Sequence, residues 1–313
     1  MTRYVVNRVA LGLVVLVGLA FATFLIIHLV PGDPVRQALG AQASPQQIEE
    51  VRDQLGLNDP LSTQFWDYLS NSATGQFGDS FVQSSAVSDL VGDRIAPSAL
   101  LIAYGLLVAL LIGVPLAIVA ALNPNSVIDH SARLVATLSF ATPLFWLGLV
   151  LALVFGLELD IFPVSGYETG IDGILKTLTL PALALGLALT VFVLRILRSS
   201  LLEVLQSDYI DAARARGLSE GRIVAKHAMR NAVMPTVTIM AIQVGFLISG
   251  AVVLEQVFQI PGVGSLLVES VERRDYEVVQ TLVLLAGATV VFVNLAADVL
   301  QAAIDPRVRL AGR

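Results

Sequence analysis

Six apolar runs govern what this chain can become: Val9 to Val30, Ala96 to Leu122, Leu134 to Leu157, Leu178 to Leu197, Ala232 to Leu254 and Thr281 to Ala303. Each is near the roughly twenty residues that a helix needs to cross ~30 Å of hydrocarbon. The whole chain is 56% hydrophobic and only 14% charged, outside the usage of soluble domains. These features predict an all-α integral membrane protein with six transmembrane helices. The first run follows Arg3 and Arg8 as a signal peptide would, and Ala41-Gln42-Ala43 has the small-x-small form of a cleavage site. That run is longer than a signal h-region and the tripeptide lies well beyond its end, so the sequence predicts a retained first helix.

Charge orients the spans. With a cytoplasmic N-terminus, six crossings bring both termini inside. The inner segments then hold Arg3, Arg8, Arg133, the seven basic residues from Arg195 to Arg230, and Arg307, Arg309 and Arg313, which is 13 of the 19 basic residues. This bias follows the positive-inside rule and fits a bacterial-type cytoplasmic membrane. The acidic balance arises mainly from carboxylates in the outer loops, so it points to no particular substrate.

The loops divide the chain into residues 1–30, a tail and first helix; 31–95, a small extracytoplasmic subdomain; and 96–313, a core with five spans and a polar cytoplasmic segment at 198–231. The subdomain opens on PGDP at 31–34 and contains SPQQIEEVRDQLG, in which Ser44 is placed to cap a helix and Gly56 to end it. Two further outer loops run from Glu158 to Lys176 and from Glu255 to Gln280. In the second, Ile260-Pro261-Gly262 reads as a turn before a short interfacial helix.

Little in the sequence supports catalysis. GLSEG at 217–221 matches the G-x-S-x-G pattern, but helical rather than strand-like residues precede it, so a nucleophilic Ser219 is rejected in favour of a helix stop and a new start. His28, His130 and His227 lack metal-ligand spacing, and there is no cysteine. Neither Lys176 nor Lys226 follows a glycine, which excludes a phosphate-binding loop and makes the chain no ATPase by itself. Within the spans, Asn294 and Asp298 share a face of the last helix. Asp298 is expected to pair with a basic group, the alternative being that it lines a polar transport cavity, and Arg195 and Arg198 to snorkel from the inner end of the fourth helix. So few midmembrane ionisable groups disfavour an ion-driven secondary transporter.

The polar stretch DYIDAARARGLSEGRIVAKHAMRNA, residues 208–232, is read as two helical pieces. Asp208 to Arg216 offers small Ala212, Ala213 and Ala215 for close approach by a partner, and Gly217 stands where a left-handed cap belongs. Arg214, Arg216, Arg222 and Lys226 remain for acidic groups or anionic lipid.

Asp211, Ala212, Ala213 and Gly217 are similar to the E-A-A-x-x-x-G signature of permease subunits in ABC importers, with Asp in place of Glu. Pro235 lies farther from the glycine than in the general pattern. That spacing, with H-A-x-R-N at 227–231, resembles the B-type subunit of the dipeptide, oligopeptide and nickel branch. HLVPGDP, GQFGDS at 75–80, DH at 129–130, PVSG at 163–166, LRSSLLEVLQSDYI, VFQIPGVG, RRDYEVVQ and DPRVR extend the resemblance from about Arg3 to Arg309. It implies a subunit of a binding-protein-dependent, ATP-driven importer, most simply for di- or oligopeptides. The implied partners are a second homologous permease, two ATPase subunits or domains, an extracytoplasmic substrate-binding protein and the lipid bilayer, with no nucleic acid. No cofactor is implied in this chain, and ATP and Mg belong to the ATPases. The coupling helix would comprise Asp211, Ala212, Ala213, Arg214, Arg216 and Gly217.

Overall fold

A computed structural model of the chain describes residues 2–29, 35, 39, 43–54, 56–80 and 82–304. PGDP at 31–34, Ala41, Gln42, DPRVR at 305–309 and Arg313 lie outside the described residues. The chain divides into two compact units, one of residues 1–96 and 262–295, the other of residues 97–261 and 296–313.

The first unit begins with α1, Thr2–Leu29, an apolar helix long enough to cross a bilayer. Next come α2, Pro45–Gln54, and α3, Leu61–Thr74. At the start of α2 the Gln47 N–H donates to Ser44 Oγ, and the Ser44 N–H donates back to Gln47 Oε1 at 2.9 Å. This reciprocal pair satisfies two amides that a helix start leaves open. Gly56, at φ +65°, turns the chain after it. Helix α3 seats Phe65 and Tyr68 against Phe24 of α1, with Phe65–Phe24 centroids 5.5 Å apart, and Gln64 meets His28 Nε2 at 3.2 Å. A hairpin of β1, Asp79–Ser80, and β2, Ser85–Ala86, adds a small sheet that composition did not announce.

Helix α4, Val87–Leu122, starts nine residues before the second apolar run because its first turns bury Val87 and Val91 against Leu266, Val278 and Leu282. Those partners lie on α11, Val263–Arg273, and α12, Tyr276–Ile304. Between the two helices stands Asp275, buried, accepting a 2.5 Å hydrogen bond on Oδ2 from Ser80 Oγ of the hairpin.

The second unit is organised by α7, Gly170–Leu205. It extends eight residues beyond each end of the fourth apolar run, so the outer loop starting at Glu158 closes before Lys176. Around it stand the remainder of α4; α5, Val127–Ala141; α6, Leu144–Glu158, π-helical from Ala152; α9, Glu220–Ile242, π-helical from Ile223 to Ala228; and α10, Val244–Phe258. Leu185, Leu189, Val193, Leu194 and Leu197 of α7 are fully buried. Near the other end of α10, Ser98 of α4 donates to the buried carboxylate of Glu255 at 2.5 Å. Where α4 crosses α7, Gly105, Gly113 and Gly186 permit close backbone approach: a Cβ on Gly186 would stand 2.6 Å from Val108 Cβ and 2.7 Å from the Gly105 carbonyl.

Among the described residues four helices are long and apolar enough to span a membrane, and the number is six if each of two bent pairs is one span. The third run is one such pair, α5 and α6, turned by 104°. Pro143 causes the turn. The residue before a proline avoids the helical region, and Thr142 is extended at ψ 130°. The fifth run bends by 51° between α9 and α10. The prolines inside α4, α7 and α9 do not break those helices, since packed neighbours can re-satisfy the backbone groups they release.

Two outcomes are expected. Gly186→Ala forces α4 and α7 apart and costs about 1–3 kcal/mol, read as a lower thermal midpoint in detergent, whereas Gly245→Ala, with open space at its Cβ position, leaves the midpoint unchanged or raises it. The second concerns Asp275, whose carboxyl is pushed above its ordinary pKa of 3.8 by burial, only partly offset by hydrogen bonds from Ser80 and the Val278 N–H. The folded chain therefore holds this proton more tightly than the unfolded chain does. The resulting stabilisation is complete below pH 3.8 and is lost as pH rises through the raised value. Asp275→Asn keeps an acceptor for Ser80 without the charge, so the variant gains midpoint relative to the natural chain as pH rises through that window.

Candidate functional site

The polar stretch folds into a short helix, α8, Asp208–Ala215, between α7 and α9. Asp208 and Asp211 occupy its first turn, where carboxylates meet the positive end of the helix dipole. Its end is closed by two bonds, Gly217 N–H to the Arg214 carbonyl at 2.9 Å and Leu218 N–H to the Ala213 carbonyl at 3.3 Å. Gly217 takes φ +79°, which other residues resist. Leu218 then packs on the same apolar cluster as Ala213, completing a Schellman stop.

The helix is two-faced. Ile210 and Ala213, three residues apart, are buried in a cluster with Leu197, Leu201 and Leu205 of α7 and Ile223, Val224 and Ala228 of α9. Asp208, Tyr209, Asp211, Ala212, Ala215 and Arg216 are exposed. The small-residue face read from the sequence is thus divided: Ala212 and Ala215 point outward, and Ala213 packs inside this chain.

Arg214, exposed like Arg216, is engaged within its own chain. Its Nε donates to Glu220 Oε1 at 2.7 Å and its Nη1 to Asp211 Oδ1 at 3.0 Å, which closes the turn between α8 and α9. Those bonds, Glu220 first, hold the guanidinium pKa above its ordinary value. Arg216, Arg222 and Lys226 are exposed. Asn231, at the start of the α-helical part of α9, donates to Tyr209 Oη at 2.9 Å, so a side chain of the R-N pair fastens α8 from the far side of the turn.

Arg198 also departs from expectation. Instead of reaching outward it turns to Asp129 at the start of α5, and Nε and Nη2 donate to the two carboxylate oxygens at 2.7 Å each. Asp129 is 0% exposed and the Arg198 side chain 16%. The carboxylate also accepts from the Asn125 N–H at 3.0 Å, and Arg133 Nε stands 3.2 Å from Oδ1. A buried carboxylate needs such partners, and the sequence offered it only as part of a two-residue motif. Arg195 donates to Thr137 at 3.3 Å. Asn294 donates to the Val290 carbonyl of its own helix at 2.8 Å. Among the described residues no group of three or more His, Asp or Glu side chains is placed to hold a metal ion.

Residues 113–310 match the family described as "Binding-protein-dependent transport system inner membrane component", and residues 1–102 match "Binding-prot-dependent transport system membrane comp, N-term". The glutathione transport system permease protein GsiC of Escherichia coli K12 is 42% identical over 310 residues, covering 99% of both chains. Its counterpart in Shigella flexneri serotype 5b is likewise 42% identical with 99% of each chain covered. Among solved structures, the inward-facing MetNI methionine ABC transporter aligns with 69% of this chain and 96% of its own, at a TM-score of 0.56 and 18% identity. At that identity the likeness is one of fold.

The Schellman stop yields a direct test. Gly217→Ala, which places a Cβ on a left-handed residue, is expected to cost about 1 kcal/mol and to lower the thermal midpoint, while Gly221→Ala, where no atom crowds the Cβ position, does not.

Proposed function

The chain belongs to the binding-protein-dependent transport system inner membrane components and is a permease subunit of an ABC importer; we propose that it carries di- or oligopeptides and transmits ATPase movement through α8. The likeness that carries the substrate reading is full-length identity of 42% to permeases named for glutathione, itself a small peptide. Supporting the coupling reading are the outward Ala212 and Ala215, the glycine stop, and the anchoring of the opposite face by Ile210 and Ala213.

In this reading the working importer contains a second homologous permease, two ATPase subunits or domains that bind ATP and Mg, and a substrate-binding protein outside the membrane. Both termini and α8 face the cytoplasm, in keeping with the bias of basic residues. The segment 31–95 and the loop carrying α11 receive the binding protein. ATP-driven closure of the ATPases displaces Asp211, Ala212, Arg216 and their neighbours, while Ala213, Arg214 and Gly217 hold the helix in shape. The spans then pass between inward-open and outward-open states, a two-state change biased by nucleotide.

Reconstitution with the cognate subunits and binding protein, followed by mass spectrometry of the bound ligand, tests the substrate class; a non-peptide ligand overturns it. For coupling, Ala212→Glu places a charge on the outward face without touching the core. Uptake is expected to fall about tenfold or more with the thermal midpoint unchanged, the scale of burying an unpaired charge at an interface. Full uptake by this variant removes α8 from the coupling path.

A further inference from the structure

The buried apolar residues that α4 and α5 contribute around the root of α8 are all alanines. Ala117, Ala120 and Ala121 of α4 and Ala132 and Ala136 of α5 join Leu194, Leu197 and Leu201 of α7 in a single buried cluster. Alanine faces allow close approach but offer few knobs, so they resist sliding and rotation weakly. Against this background stand two directional contacts between α7 and α5, the single Arg195–Thr137 hydrogen bond at 3.3 Å and the two-pronged Arg198–Asp129 pair, with both bonds at 2.7 Å. A guanidinium and a carboxylate meeting edge to edge fix both distance and orientation, which dispersion contacts do not.

The position of the pair is informative. Asp129 lies in the first turn of α5, where its own N–H donates to Ser126 Oγ and its carboxylate accepts from the Asn125 N–H. Asn125 adopts φ +60° in the corner between α4 and α5. Arg198 stands one turn before Leu201 on α7, and Leu201, Leu205, Ile210 and Ala213 continue the same cluster into α8. The pair therefore ties the α4–α5 corner to the stretch of α7 that carries α8.

We propose that Asp129 and Arg198 are positioning residues for transport, fixing the register of α5 on α7 so that movement of α8 reaches the α4–α5 corner without slip. The inference rests on α8 being the coupling helix. Buried ion pairs give little net stability compared with apolar residues of similar volume, because desolvation offsets their attraction. Their distinctive contribution is orientation, and the test separates the two.

The importer is reconstituted in proteoliposomes with its ATPases and binding protein, and uptake is measured per ATP hydrolysed. The double variant Asp129→Leu with Arg198→Met fills the site without charge and is expected to assemble as the natural chain does. Uptake per ATP is expected to fall about tenfold while basal ATP hydrolysis persists, within the range of coupling changes along packed networks. Coupling within twofold of the natural chain overturns the proposal and leaves the pair a packing element. Arg198→Lys, which keeps the charge and loses the second prong, decides the matter if the double variant fails to assemble: reduced uptake per ATP supports register control, and unchanged coupling refutes it. Failure of the unaltered complex to couple uptake to ATP, or normal coupling with Ala212→Glu, strikes instead at the reading on which the inference rests.

Discussion

Within a bilayer every peptide group must find its hydrogen bond inside the protein, and the rest of this structure follows from that demand. It turns the apolar runs into helices despite their many β-branched valines and isoleucines, and it makes each departure from regular helix local and compensated. At the break before α6, the Thr142 N–H and hydroxyl both donate to the Leu138 carbonyl, and the Leu147 N–H resumes bonding at the Pro143 carbonyl. The π-helical stretches of α6 and α9 similarly retain backbone bonding while shifting the direction of the side chains that follow. Irregularity is concentrated in helices that bend, and the central helix α7 remains continuous over 36 residues.

Polar pairs supply what apolar packing leaves undetermined. Among the described residues each unit has one buried carboxylate held by a serine, Asp275 by Ser80 and Glu255 by Ser98, and the second unit adds Asp129 held by Arg198. All three join segments far apart in sequence. Contacts of this kind add modest net stability, but leaving one partner unpaired is costly. They therefore select among closely packed alternatives that alanine and leucine surfaces would tolerate almost equally.

This division explains what the sequence disclosed. Run length located the long apolar helices, and local stereochemistry exposed Ser44, Gly56 and Gly217 because capping and positive φ are properties of a few adjacent residues. The fate of Arg198 depended on a carboxylate 69 residues away, for which no local rule exists. Ala213 and Ala212 are adjacent and chemically identical, so only the docking of α8 determines which one faces inward. Pro143 was visible, yet the apolar run continued across it and concealed a turn of 104°. The motif pieces DH, GQFGDS, RRDYEVVQ and the R-N pair marked the right places. Their physical meaning emerged only when the fold brought Asp129 to Arg198, Ser80 to Asp275 and Asn231 to Tyr209.

Helix α8 has eight residues, fewer than an isolated helix needs to persist in water. Its order is borrowed: Ile210 and Ala213 seat it in the cluster, Asn231 holds Tyr209, and Arg214 closes the turn to Glu220. A surface loop could yield to a partner without disturbing the helices behind it. This helix cannot, because the contacts that make it a helix are the contacts that join it to α7 and α9. Displacing it as a folded unit must therefore move those helices or break that cluster, so the same burial that gives α8 its shape gives it mechanical purchase on the spans.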